Sequence, residues 1–163
     1  MDEYFSKFEN IVRRAYQFSE TGTERLQAQH PFDERDIHPA LPDIVRKLFD
    51  DGHYSQATFE AFKFIDKDVQ RISGASETGF KLMMKVFSES SPDIQLTLNS
   101  TTSEKDEQKG YQFLFAGSIL AIRNPRGHEY SLKDSPDICL DHLALASLLL
   151  RRLESAGYKI IRI

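Results

Sequence analysis

Arg123 and His128 stand five positions apart in A-I-R-N-P-R-G-H-E-Y, residues 121–130. These two residue types suit chemistry at phosphorus. A guanidinium grips a phosphate through two parallel hydrogen bonds. An imidazole, with an ordinary pKa near ~6.5, moves protons at neutral pH. Together they suffice for RNA cleavage without a metal. The histidine takes or gives a proton as a 2′-hydroxyl attacks the adjacent phosphorus, and the arginine stabilises the charge on the phosphorane. Arg126 and Lys133 add positive charge nearby. The same residues also read as helix punctuation. An arginine in a last turn meets the helix dipole favourably. Asn-Pro disturbs a helix, because the residue before a proline avoids the α region.

The site reading rests on geometry. In a straight helix, residues five apart lie ~140° apart around the axis, too far to share a site. The Asn124-Pro125 break is expected to change this. Asn124 caps a new turn that starts with Pro125, and the loop brings guanidinium and imidazole to one side.

Other residues have two readings each. His53 and Tyr54 follow Asp51-Gly52 and open a helix, where they line the same cleft or serve as cap and core. Glu60 is an acidic neighbour of the motif or a solvated surface residue. Glu129 and Tyr130 adjoin His128; Tyr130 contacts RNA, orients the imidazole or simply packs. Lys133, Arg151 and Arg152 form a phosphate track, or the helical pair complements a dipole. The histidines at 30, 38, 53, 128 and 142 show no H-x3-H or H-E-x-x-H spacing, and no C-x-x-C occurs, so no metal and no cofactor is expected. There is no G-x-S-x-G serine elbow and no phosphate-binding G-x-x-x-x-G-K-[ST] loop.

The elements that must position these residues are helices. Tyr4, Phe5, Phe8, Ile11, Val12, Ala15 and Phe18 have helical spacing over residues 4–19. A polar stretch, Ser19 to Arg35, reads as a linker or loop. Leu41 to Phe49 gives a short amphipathic helix, with Pro42 in its first turn and Gly52 as a left-handed cap. Residues 53–72 form a longer one, stopped at Ser73-Gly74. Gly79 to Phe87 forms another. Ile94 to Leu98 alternates and is strand-like. Ser103 and Asp106 match a capping box before a buried helix that runs to Ile122. Ser135-Pro136 opens a last helix, apolar around most of its circumference, that ends at Ala156-Gly157. The expectation is an all-α bundle of about five or six helices, with residues 1–36 as N-terminal helix and linker and residues 37–163 as the helical domain.

Composition agrees. The 163 residues suit one domain. Forty per cent are apolar, with 12 Phe and 6 Tyr, enough for a core. A net charge of −4 argues against broad nucleic-acid binding but not against a small basic site. The single cysteine, Cys139, excludes an internal disulfide framework. The acidic, amphipathic N-terminus lacks the basic and apolar regions of a signal peptide, and no run of ~18 apolar residues occurs. A cytoplasmic protein without a membrane partner is expected.

The R-x4-H spacing resembles the motif of the HEPN superfamily. In order along the chain, D-G-H-Y-S-Q-A-T-F-E-A-F-K (51–63), L-M-M-K-V-F (82–87), F-A-G-S-I-L-A-I-R-N-P-R-G-H-E (115–129) and L-A-L-A-S-L-L-L-R-R-L (143–153) resemble the Ymh-like family. The resemblance covers roughly residues 37–156. It implies a HEPN-type bundle acting as a metal-independent endoribonuclease of a toxin–antitoxin or antiphage defence system, on tRNA or mRNA. It implies Arg123 and His128 as the catalytic pair and Asn124 as their support. It also implies a homodimer whose two motifs face each other, leaving 2′,3′-cyclic phosphate ends, with an antitoxin or defence-system partner. Some relatives of this type only dimerise, or bind nucleotides or partners, which is the alternative.

Overall fold

The computed structural model describes Phe8, residues 29–129 and residues 131–162. Apart from Phe8, the helix expected over residues 4–19 lies outside the described residues, as does Tyr130. The polar stretch before residue 36 ends in structure. α1 (Pro31–Glu34) is a single turn whose N-cap, His30, accepts the Phe32 N–H at Nδ1. Phe32 packs on Phe49, with ring centroids 5.2 Å apart.

Proline and glycine set most later boundaries. Pro42 precedes α2 (Asp43–Asp50), and Gly52 leaves it at φ 78°. α3 (Tyr54–Ser73) stops at Gly74, which takes φ 69°, a conformation that costs a side-chain-bearing residue strain. α4 (Gly79–Val86) follows, and its first N–H is held by the buried Asp66 carboxylate of α3 at 2.6 Å. α5 (Thr102–Ser118) begins at a capping box formed by Thr101 and Glu104, two residues before the expected Ser103–Asp106 pair. A π-helical turn, Ile119–Arg123, leads into α6 (Asn124–His128). α7 (Pro136–Ser155) starts as expected, with the Ser135 hydroxyl accepting the Ile138 N–H.

The described residues form an all-helical bundle without strands. α3 lies at its centre, with α2, α4, α6, the π turn and α7 all packed on it. Leu143, Leu149, Leu150 and Leu153 of α7 are fully buried beside Phe62, Ile65 and Val69 of α3. Each such side chain contributes about 1.5–3 kcal/mol by leaving water.

Two expectations about the middle of the chain do not hold. Ile94 to Leu98 is not a strand. Its alternation is real, since Ile94 and Leu96 are buried, but no strand pairs with it. The buried Gln108 side chain satisfies this backbone instead. It accepts the Leu96 N–H at 2.7 Å and donates to the Ile94 and Phe87 carbonyls at 3.0 and 3.1 Å. Nor is the run from Phe113 to Ile122 buried throughout. Phe113, Leu114 and Leu120 are 55, 46 and 53% exposed and leave an apolar stripe on the outside of α5 and the π turn.

Candidate functional site around Arg123

Pro125 does not break the helix. Asn124 holds φ −64° and ψ −44°, in the right-handed helical region, so it caps no new turn. The reason lies one turn earlier. A proline lacks the N–H for an i→i−4 bond, and its ring crowds the carbonyl of residue 121. The π turn before it widens the helix, with the Asn124 N–H reaching back five residues to the Ile119 carbonyl. The backbone stays helical until Glu129, at φ −104° and ψ 113°. The break expected to bring Arg123 and His128 together is absent. The two leave one helix ~140° apart around its axis.

Arg123 is half-buried and held on two sides. Its Nη1 donates to the Asn124 side-chain oxygen at 3.1 Å. Its guanidinium carbon lies 5.2 Å from the ring centre of Phe59 on α3. Its Nε is buried without a hydrogen-bond partner, and no described carboxylate pairs with it. An unpartnered buried donor costs about 1–3 kcal/mol. His128 is exposed at the end of α6, and no described residue hydrogen-bonds its imidazole.

Arg126, expected to bind substrate, is committed to the fold. Its Nε and Nη2 grip the Asp134 carboxylate at 2.7 and 2.6 Å, and both side chains are nearly inaccessible, at 7 and 5%. Its Nη1 donates to the Ile122 carbonyl at 2.8 Å, and its Nη2 lies 3.4 Å from Nδ1 of His142 on α7. Burial, with Arg126 as a second cause, lowers the His142 pKa, because both disfavour a second cation there. Cys139 lies behind this cluster, its thiol pushed up to about 11 by burial.

The remaining candidates scatter. Ser55 in the first turn of α3 accepts the Asp134 N–H at 2.8 Å and donates to the Leu132 carbonyl at 3.0 Å. This tie holds exposed Lys133 near the start of α3, where His53 is also exposed. Tyr54 turns the other way, edge-on to Phe49 at 5.2 Å. Glu60 is held by Lys63 at 3.0 Å. Arg151 pairs with Asp36, and Arg152 with Glu107 at 2.9 Å and the Leu96 carbonyl at 2.6 Å, so neither forms a free phosphate track. Sequence reasoning missed Phe59. Its signal was an aromatic residue off the apolar face of its own helix.

Among the described residues, no helix is long and apolar enough to cross a membrane, and no cluster of three or more His, Cys, Asp or Glu is placed to hold a metal ion. Against known proteins, residues 35–153 match a family model described as "Protein of unknown function (Hypoth_ymh)". No curated protein and no solved structure matches the chain.

Proposed function

The chain belongs to the Hypoth_ymh family, and from the surroundings of Arg123 we propose that it is a metal-independent endoribonuclease of the HEPN type, acting as a homodimer. The observation that carries this reading is the Arg123 guanidinium. It is oriented by Asn124 and Phe59, bears a buried unpartnered Nε, and lies in the same short stretch of helix as an exposed histidine. A buried donor left without a partner in a native fold calls for an explanation, and an anionic ligand is one.

In the proposed reaction one His128 removes the proton from a ribose 2′-hydroxyl. The oxygen attacks the adjacent phosphorus. Arg123 stabilises the phosphorane, and a second imidazole gives a proton to the departing 5′-oxygen. The products are a 2′,3′-cyclic phosphate and a 5′-hydroxyl. One chain supplies one His128, pointing away from its own Arg123, so a second copy completes the site. The stripe of Phe113, Leu114 and Leu120 gives that copy an apolar surface to cover. The class of substrate is tRNA or mRNA, in the cytoplasm, with an antitoxin or defence-system partner restraining or triggering the enzyme.

One observation favours a non-catalytic dimerisation or nucleotide- or partner-binding module instead. Arg126, Arg151 and Arg152, three of the cations expected to meet RNA, are all engaged in ion pairs. The test compares wild type and His128→Ala, matched for thermal stability, on end-labelled total RNA in EDTA. Fragments ending in cyclic phosphate from wild type alone are expected. Equal background from both proteins would shift the assignment to the binding module.

A further inference from the structure

We propose that Phe59 of α3 is the positioning residue for Arg123, fixing the plane of its guanidinium, and that Gly127 is the gap in α6 that admits the Phe59 ring. The consequence for a reaction rate rests on the ribonuclease reading. The positioning itself does not.

Phe59 is not a core residue. It is partly buried but stands apart from the apolar cluster that α3 builds with Ala57, Ala61, Phe62 and Ile65. Its neighbours are of another kind. The Arg123 guanidinium lies 5.2 Å from its ring centre and the Lys63 ammonium 5.8 Å. A ring face attracts cations through its quadrupole, and a flat guanidinium stacks on it. The two cations are not equivalent. Glu60 neutralises Lys63 with contacts of 3.0 and 3.1 Å, while no described carboxylate pairs with Arg123. Among the described residues, the ring therefore presents one cation without a counter-charge.

Gly127 completes the arrangement. It lies four residues after Arg123, so both fall on the same face of the helix. A Cβ at Gly127 would stand 2.9 Å from the Phe59 Cε2, closer than real contacts allow, with two further ring atoms at 3.6 and 3.7 Å. The Gly127 backbone is not left-handed, so nothing conformational demands glycine there. Helix propensity alone favours alanine. What glycine supplies is room. A methyl group would displace the far end of the ring, a movable side chain, without disturbing the helix. Asn124 then fixes one edge of the guanidinium and Phe59 its face. Transition-state stabilisation depends on such placement, and a displacement of about 1 Å costs up to ~10²-fold in rate.

The test compares full-length Phe59→Leu, Phe59→Tyr, Gly127→Ala and Phe59→Leu/Gly127→Ala with wild type. The first readout is the NMR signature of Arg123, its Hδ and Nε–Hε protons, assigned by their loss in Arg123→Lys. In wild type the Phe59 ring current shifts them upfield. Phe59→Leu and Gly127→Ala move them toward unshifted values, and Phe59→Tyr, which keeps a ring, retains the shift. The second readout is kcat and KM on an RNA oligonucleotide. Phe59→Leu lowers kcat about tenfold or more while KM changes less, and Phe59→Tyr keeps most of the rate. Adding Gly127→Ala to Phe59→Leu has no further effect on either readout, since the wedge then meets no ring. Arg123 signals unmoved in Phe59→Leu would overturn the proposal even if the RNA is still cleaved. If wild type cleaves no RNA, the ribonuclease reading falls and the ring-current shift alone decides the positioning.

Discussion

Arg123 and Arg126 leave the same stretch of helix three residues apart, in opposite circumstances. Arg126 is buried and satisfied by the Asp134 carboxylate and the Ile122 carbonyl. Arg123 has one side-chain oxygen, one aromatic face and a buried nitrogen with no partner. The difference shows how a fold can hold a reactive cation. One arginine bolts α6 to the loop before α7, while the other has no described carboxylate partner. Residue type alone assigns both to the substrate; only the positions of Asp134 and Phe59 separate them.

The sharpest way to break this comparison is to remove Asp134 and Arg123 in turn. Asp134→Ala leaves Arg126 buried without its counter-charge, and loss of one partner from a buried pair costs about 3–5 kcal/mol. Arg123→Ala removes a donor that the fold does not satisfy, so its effect on stability is within about 1 kcal/mol, while RNA cleavage is lost. Urea unfolding of both variants beside the cleavage assay measures the two outcomes. Equal destabilisation by both substitutions would show that the fold depends on the two arginines alike.

A smaller effect is expected at the apolar stripe. Leu120 is half-exposed, so Leu120→Lys leaves the fold intact. If the stripe joins two copies, the charge weakens dimerisation by about 2 kcal/mol or more. Sedimentation is then expected to give a dimer for wild type and a monomer for the variant, with cleavage falling as the dimer fraction falls. A wild-type monomer with full activity would refute the composite site.

How much of this was legible in the sequence depends on the range of the interactions. Gly52, Gly74 and the Ser135-Pro136 start mark helix ends in the structure as the local pattern predicts, because caps depend on residues a few positions apart. The capping box at Thr101 was displaced by two residues, because several Ser, Thr and acidic residues there compete for one role. The Ile94–Leu98 alternation reads as a strand because it is buried on one side. What decides otherwise is Gln108, one helix away. Pro125 reads as a break because the local rule takes no account of a π turn upstream. Arg126 reads as a ligand because its partner, eight residues on, is reached only through the turn of the chain. In the candidate site the expected meeting of Arg123 and His128 is absent, because Asn124 stays helical, and Phe59, which faces Arg123, carries no local signal of that contact.

The subtlest expected effect concerns His142, which touches the satisfied arginine and not the other. Burial lowers its pKa, with Arg126 adding to the effect, while Asp134 and Asp141 oppose it. The folded state therefore holds His142 neutral at pH values where the unfolded chain, with a pKa near ~6.5, begins to protonate it. The unfolded state then binds more protons, so stability rises with pH through this window. The stabilising contribution is complete above about pH 6.5 and is lost as pH falls toward the lower folded pKa. His142→Gln keeps a side-chain acceptor for Arg126 but removes the titration. Its unfolding free energy should fall less steeply than that of wild type as pH drops below about 6.5. The same slope measured in Arg123→Ala should match wild type, because no contact joins Arg123 to this cluster. A changed slope in Arg123→Ala would mean that the two arginines share one electrostatic system, and that the unpaired state of Arg123 depends on the protonation of His142.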